Sequence, residues 1–146
     1  MIDVVEMAPT HLASVKQRIA WPELAVKIRA GFDRIYAFLR AAGVKPTGHN
    51  VCVYRDKDRS GCELECGVQV GGPFTEGDGV ENSATPSGRA AHIVHIGSYD
   101  KIHLHGAELD AFRGGRDAGV DWEVYGDWTD DPAQLRTDIY RLLAAE

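Results

Sequence analysis

Residues 111–127, AFRGGRDAGVDWEVYGD, decide the fold, because residues 37–56, AFLRAAGVKPTGHNVCVYRD, carry the same signals in the same order. An Ala-Phe pair (Ala37-Phe38, Ala111-Phe112) precedes an Ala-Gly-Val triplet (Ala42-Gly43-Val44, Ala118-Gly119-Val120). A strand-like run follows, Val53-Tyr54-Arg55-Asp56 in one stretch and Val124-Tyr125-Gly126-Asp127 in the other. Agreement at matching places of two successive units indicates an internal duplication.

Working outward, each unit reads strand–helix–strand–strand. In the first, residues 2–7 read as a strand, and residues 10–20 have no decisive period. Pro22 suits a helix first turn, and Leu24, Ile28, Phe32, Ile35 and Leu39 recur at helical spacing before Gly43 stops the helix. Residues 51–54 and 64–70 read as strands joined by a turn at 58–61. Glycine, proline and small polar residues make 71–87 a loop. The second unit has a strand at 89–96 and an amphipathic helix marked by Tyr99, Ile102, Leu109 and Phe112 and ended by Gly119. Strands at 122–125 and 137–143 flank a loop at Asp130-Asp131-Pro132. Gly114-Gly115 falls within that helix, at a cost of about 2 kcal/mol relative to Ala-Ala.

The expected fold is therefore α+β. One domain spans 1–146, with repeat halves at about 1–72 and 86–146. They form an antiparallel sheet with two helices, related by a pseudo-two-fold axis. A cleft is expected where the halves meet, and such seams are preferred ligand sites.

Composition narrows the function classes. The chain has 146 residues, 44% of them apolar, the size of one ordinary domain. No apolar run approaches a membrane span, and Asp3 and Glu6 interrupt the N-terminal stretch, so a cytoplasmic address is expected by default. Through residue 73 there are 10 basic against 8 acidic residues; beyond it, 6 against 14. The acidic second half repels phosphate backbones and suits a cationic ligand, so no direct nucleic-acid binding is expected. Cys52, Cys62 and Cys66 form no Cys-x-x-Cys pair and read as small core residues. His92/His95 and His103/His105 have spacings that point the paired side chains apart on a strand and a helix respectively, so no metal is expected. No cofactor is expected: there is no P-loop and no Gly-x-Ser-x-Gly elbow.

Trp122-Glu123-Val124-Tyr125 carries the chemistry. On a strand Glu123 and Tyr125 share one face, roughly 7 Å apart, and Trp122 and Val124 the other. The face with the carboxylate is either simply wet or a pocket floor where Glu123 meets a ligand cation beside an aromatic wall. At His95-Ile96-Gly97-Ser98-Tyr99 the strand turns into the second helix, with Ser98 as a cap and Tyr99 able to point back over the sheet.

Five motifs in register resemble the GyrI-like (AraC-type effector-binding, multidrug-binding) family: Pro86-Ser87-Gly88-Arg89, His95-x-Gly97-x-Tyr99, Trp122-Glu123-x-Tyr125, Asp131-Pro132 and Thr137-Asp138-Ile139. The resemblance covers nearly the whole chain. It implies the duplicated fold with a central cleft, and Glu123 as the ligand carboxylate. It also implies an aromatic surround for flat, hydrophobic, often cationic compounds, here Tyr99, Tyr125, Trp122, Tyr54 and Trp21, with His95 from the motif preceding Tyr99. Alternation points Trp122 away from Glu123, so its place in the pocket requires a bulge or a second wall. The resemblance begins near residue 1, which leaves no room for a DNA-binding region in the chain; a monomer or homodimer is expected. The first expected function is a binding module. The alternative is a hydrolase of strained, cyclopropane-type electrophiles, with Glu123 and Tyr99 catalytic. A gyrase-type protein inhibitor is a third class.

Overall fold

The computed structural model describes residues 1–145. The chain runs β1 (Asp3–Met7), β2 (His11–Ala20), α1 (Leu24–Ala42), β3 (Pro46–Arg55), β4 (Gly61–Val70), β5 (Glu81–Ala84), β6 (Gly88–Ile96), α2 (Gly106–Ala111), β7 (Asp117–Tyr125) and β8 (Arg136–Leu143). Tight 3-10 turns precede α1 at Trp21–Glu23, α2 at Tyr99–His105 and β8 at Pro132–Gln134. All strands join one antiparallel sheet in the order β1-β6-β8-β7-β3-β4-β2-β5. The expected α+β class holds, and the order is symmetric about the β7/β3 junction.

The symmetry reveals a correction. Residues 2–7 were expected to open the first unit. That strand is instead β2, in the stretch without a decisive period, and it pairs with β4 from Leu12↔Gln69 to Ala20↔Gly61. β1 crosses to the other half and pairs with β6, while β5, inside the expected loop 71–87, crosses back to pair with β2. The two leading strands are exchanged. β2 escaped recognition because Leu12, Ala13, Ser14 and Val15 are all buried, on both faces, and this erases the alternation. β5 (Glu-Asn-Ser-Ala) has no apolar face. It pairs through its backbone, and its Asn82 side chain bonds the Phe74 backbone N–H and carbonyl.

β3 and β7 share one irregularity. Pro46 pairs with Val70 and Asn50 with Val68; Asp117 pairs with Leu143 and Asp121 with Arg141. In both units the strand thus advances four positions while its partner advances two, a bulge at the same place. Downstream of it Cys52 pairs with Glu123 across the junction of the halves.

α1 buries Ile35, Phe38 and Leu39 on a core from β2, β3 and β4 that includes Cys52, Leu64, Cys66 and Val68. Leu109 of α2 packs on Ala91, Ile93, Ile139 and Leu143. Ile93, Ile139, Glu123, Cys52 and Cys66 lie in one cross-strand row, so both helices cover the same face. On the opposite face Leu12, Val51, Val53, Ala90 and Trp122 form a separate buried cluster. All three cysteines are buried and unbridged.

The second helix is shorter than its spacing predicts. A 3-10 run supplies Tyr99 and Ile102, and α2 ends before Phe112. Gly114 and Gly115 lie in the link to β7, outside the helix. A Cβ on Gly115 would come within 2.9 Å of Leu143 Cδ1, so the link passes tightly over the end of β8. Gly119 stops no helix; its φ of 87° serves the β7 bulge, a conformation glycine adopts without Cβ strain. Among the described residues, no helix is long and apolar enough to cross a membrane.

Candidate functional site

Between α1 and the wall formed by the 99–109 segment lies a cleft of about 960 Å³, floored by the β7/β3 seam. α1 contributes Leu24, Ile28 and Phe32, and the opposite wall contributes Tyr99, Ile102 and Leu109. These are the apolar stripes that helical spacing marked as core; part of each stripe faces space instead.

Strand alternation puts Asp121, Glu123 and Tyr125 on the cleft side of β7, and β3 presents Tyr54 beside them. The Tyr125 hydroxyl donates to Glu123 Oε2 at 2.7 Å. The Tyr99 ring meets the Tyr125 ring edge-on, with centroids 5.5 Å apart and planes at 69°. Glu123 is half-buried and lines the cleft. Burial pushes its carboxyl above the usual range. The Tyr125 and Tyr54 hydroxyls and the His95 ring work against the rise, and Asp121 adds to it. Burial, with nearby negative groups, holds the Tyr125 and Tyr54 phenols well above their usual range, so both keep their protons and remain donors. Cys52, directly opposite Glu123, is likewise held as a thiol, by burial first and then by Cys66 and Glu123.

Cations are present but committed elsewhere. Arg141 donates through Nε and Nη2 to the two oxygens of Asp121, at 2.9 and 3.1 Å, and through Nη1 to Asp110 at 2.7 Å. Lys57 donates to Asp121 Oδ2 at 2.6 Å. Burial would raise Asp121, but Arg141 and Lys57 outweigh it and hold the group below its usual range. Among the described residues no lysine or arginine bonds Glu123. The floor thus pairs one saturated carboxylate with one that has only hydroxyl partners.

Of the residues expected at the site, Glu123, Tyr125, Tyr54 and Tyr99 come together, and Trp21 stands at the lip with Nε1 donating to the Asp58 carbonyl at 2.7 Å. Trp122 does not join them. It is fully buried in the opposite-face cluster, stacked on Tyr140 at 5.0 Å and 14°, because no bulge turns it round. His95 is buried behind the wall, where it bonds His105, and His105 is the ring that faces the cleft. The sequence reading overlooked Asp121, although the same alternation two residues back places it beside Glu123. It weighed His105 only as a metal ligand. Lys57 and Arg141 carried no local signal.

The comparisons agree with this architecture. Residues 1–143 match the profile of the GyrI-like small molecule binding domain. No curated protein matches the chain. Among solved structures, the chain resembles the EcmrR C-terminal domain at a TM-score of 0.77 and 16% identity, covering 100% of this chain and 98% of that one. It also resembles EcmrR in a DNA complex at a TM-score of 0.78 and 16% identity; 97% of this chain is covered, but only 56% of the longer EcmrR chain. SAV2435 bound to tetraphenylphosphonium aligns at a TM-score of 0.69 and 11% identity over 99% of this chain and 94% of its own. At these identities the structural likeness speaks for the fold, and the profile match for the family. With nearly every residue inside that profile, the chain belongs to the GyrI-like small molecule binding domain family.

Proposed function

We propose that the cleft binds a bulky, hydrophobic organic cation, with Glu123 as its counter-charge and Tyr99, Tyr125, Tyr54 and Trp21 as its aromatic surround. One observation carries the reading: a half-buried carboxylate at an aromatic cleft floor has hydroxyl donors but, among the described residues, no lysine or arginine partner. Such a group is poorly solvated and gains most from a positive ligand that also fills the apolar walls. The ligand-bound relative, SAV2435, holds tetraphenylphosphonium, a cation of this class.

The test is titration of the native chain and Glu123→Gln with tetraphenylphosphonium and with a rhodamine-type dye. The native chain binds both saturably, and the variant binds at least about tenfold more weakly, the loss of ~1.4 kcal/mol or more. Equal affinity in the two proteins defeats the reading.

A second reading, hydrolysis of a strained electrophile, has one observation in its favour: the Tyr99 hydroxyl makes no hydrogen bond among the described residues and stands at the cleft edge, free to donate to a substrate carbonyl while Glu123 activates water. Incubation with a cyclopropane-bearing electrophile tests it. Product formed by the native chain and lost in Glu123→Gln supports hydrolysis, and its absence removes it.

A further inference from the structure

The geometry points to a single proton shared between His95 and His105 that latches the second wall of the cleft and leaves when a cation binds at Glu123. This rests on the cation-binding reading above and adds a regulation to that site.

The proton follows from a count of donors. His95 Nε2 lies 2.9 Å from the Ser98 carbonyl oxygen, which can only accept, so Nε2 carries a hydrogen. His105 Nδ1 lies 3.0 Å from Glu108 Oε1, a carboxylate acceptor, so Nδ1 carries one too. His95 Nδ1 and His105 Nε2 are 2.9 Å apart and need a further hydrogen between them. Two neutral imidazoles supply two N–H groups, but this chain of bonds uses three. With all three bonds made, the pair holds one extra proton and a charge of +1, next to the carboxylate of Glu108.

The same chain is mechanical. His95 belongs to β6, His105 closes the 3-10 run, and Glu108 lies in α2. The His95–His105 bond therefore ties the wall to the sheet, the Ser98 bond holds the turn into the 3-10 run, and the Glu108 bond ties that run to α2. His105 faces the cleft. The charge on His95 favours the ionised form of Glu123, and by reciprocity an ionised Glu123 favours the shared proton. Thr137 separates His95 from Tyr125 in the sheet register; it is fully buried, its hydroxyl without a partner among the described residues, and it offers no counter-charge.

Other charged groups line the cleft with His105: Asp100 and His103 from the same run, Asp121 from β7 and Arg141 from β8. Arg29 and Asp33 of α1 and Lys57 stand on the remaining sides. Asp121 is paired with both Lys57 and Arg141, and Arg141 also with Asp110 and Asp117. A cation seated at Glu123 takes over the balancing of that carboxylate and repels the imidazolium. The proton passes from His105 Nδ1 by way of the half-exposed Glu108 to water. Two N–H groups then remain for three bonds, so the His105–Glu108 link opens and α2 gains freedom relative to the 3-10 run to accommodate a bulky guest.

The test uses the full chain and tetraphenylphosphonium, whose charge does not titrate. Calorimetry at one near-neutral pH, in buffers of different ionisation enthalpy, counts the protons released. The native chain releases up to about one proton per cation, and His105→Gln and the milder surface variant Glu108→Gln release roughly half of that or less. Undiminished release in both folded variants makes Glu123 the proton source and overturns the proposal. Nitrogen-15 imidazole spectra of the ligand-free chain give a count independent of binding: three protonated nitrogens over His95 and His105 support the latch, and two overturn it. A native chain that binds no cation defeats the proposed function and the coupling with it, while the spectra still decide the latch.

Discussion

Glu123 of β7 stands directly opposite Cys52 of β3, the position its own counterpart occupies in the other half of the molecule. Tyr125 and Tyr54 are likewise counterparts, each two residues further along its strand. The floor of the cleft is symmetric in its phenols and asymmetric in charge: one half supplies a carboxylate, the other a neutral thiol. Two facing carboxylates would repel each other and raise each other's affinity for protons. One carboxylate leaves a single negative charge near the axis of the fold, without a lysine or arginine partner among the described residues.

The first prediction concerns pH. Glu123 titrates higher in the folded chain than in the unfolded one, so the folded state holds the proton more tightly. Its favourable contribution is present below the ordinary carboxyl range and is lost as the pH rises through the raised value. Glu123→Gln escapes that loss. In thermal melts without ligand the variant is expected to melt above the native chain at neutral pH, with the gap closing in acid. A variant no more stable than the native chain at neutral pH would show that the carboxyl is not strained by burial.

The second separates cleft from core. Trp122→Ala should cost about 3–5 kcal/mol in urea unfolding, because a fully buried indole is removed from a stack with Tyr140. Trp122→Phe should cost less, since it also discards an indole N–H that has no partner among the described residues. Tetraphenylphosphonium affinity of the folded Phe variant should stay within roughly twofold of native, a change under ~0.5 kcal/mol. A collapse of affinity would put Trp122 in the binding site.

Gly115 offers a third. Its Cβ would press on Leu143 Cδ1 at 2.9 Å and on Leu143 Cγ at 3.3 Å, so Gly115→Ala should destabilise by about 1–3 kcal/mol, read as a lowered urea midpoint. An unchanged midpoint would mean that the link to β7 has slack.

The fourth lies on the face away from the cleft. Glu65, 1% exposed, accepts from Arg55 Nη1 at 2.8 Å and from Ser14 Oγ at 2.7 Å. Burial would raise its carboxyl, but Ser83, Ser14 and Arg55 outweigh this and hold it below the usual range. Its contribution is therefore present above the ordinary carboxyl range and is lost as pH falls through the lowered value. Arg55→Met leaves that charge without its cation. The expected loss is about 3–5 kcal/mol near neutral pH, narrowing in acid as Glu65 takes up a proton. A loss that does not narrow in acid would argue against an unpaired charge as its cause.

Local signals in the chain were strong where one face of an element is buried and the other is not. α1 declared itself through Leu24, Ile28, Ile35 and Leu39, and β7 through the alternation that set Glu123 and Tyr125 against Trp122. They were weak where both faces are buried or neither is, which is why β2 and β5 were missed. The site followed the same division. Glu123 and its tyrosines were legible, and so was the reason Trp122 should point away. The role of Asp121 as the saturated partner was not, because Arg141 comes from β8 and Lys57 from the turn between β3 and β4.

The amino-acid sequence by itself determined the duplication, the α+β class and the pairing of one carboxylate with one phenol on a strand face, since repeats and side-chain alternation are local properties of the chain. Only the tertiary structure decided which strands are exchanged between the halves, that Asp121 is neutralised while Glu123 is left with hydroxyls, and that His95 meets His105 rather than the cleft. Those outcomes depend on which distant segments come within a few ångströms of one another, and charge and hydrogen-bond interactions are settled at that range.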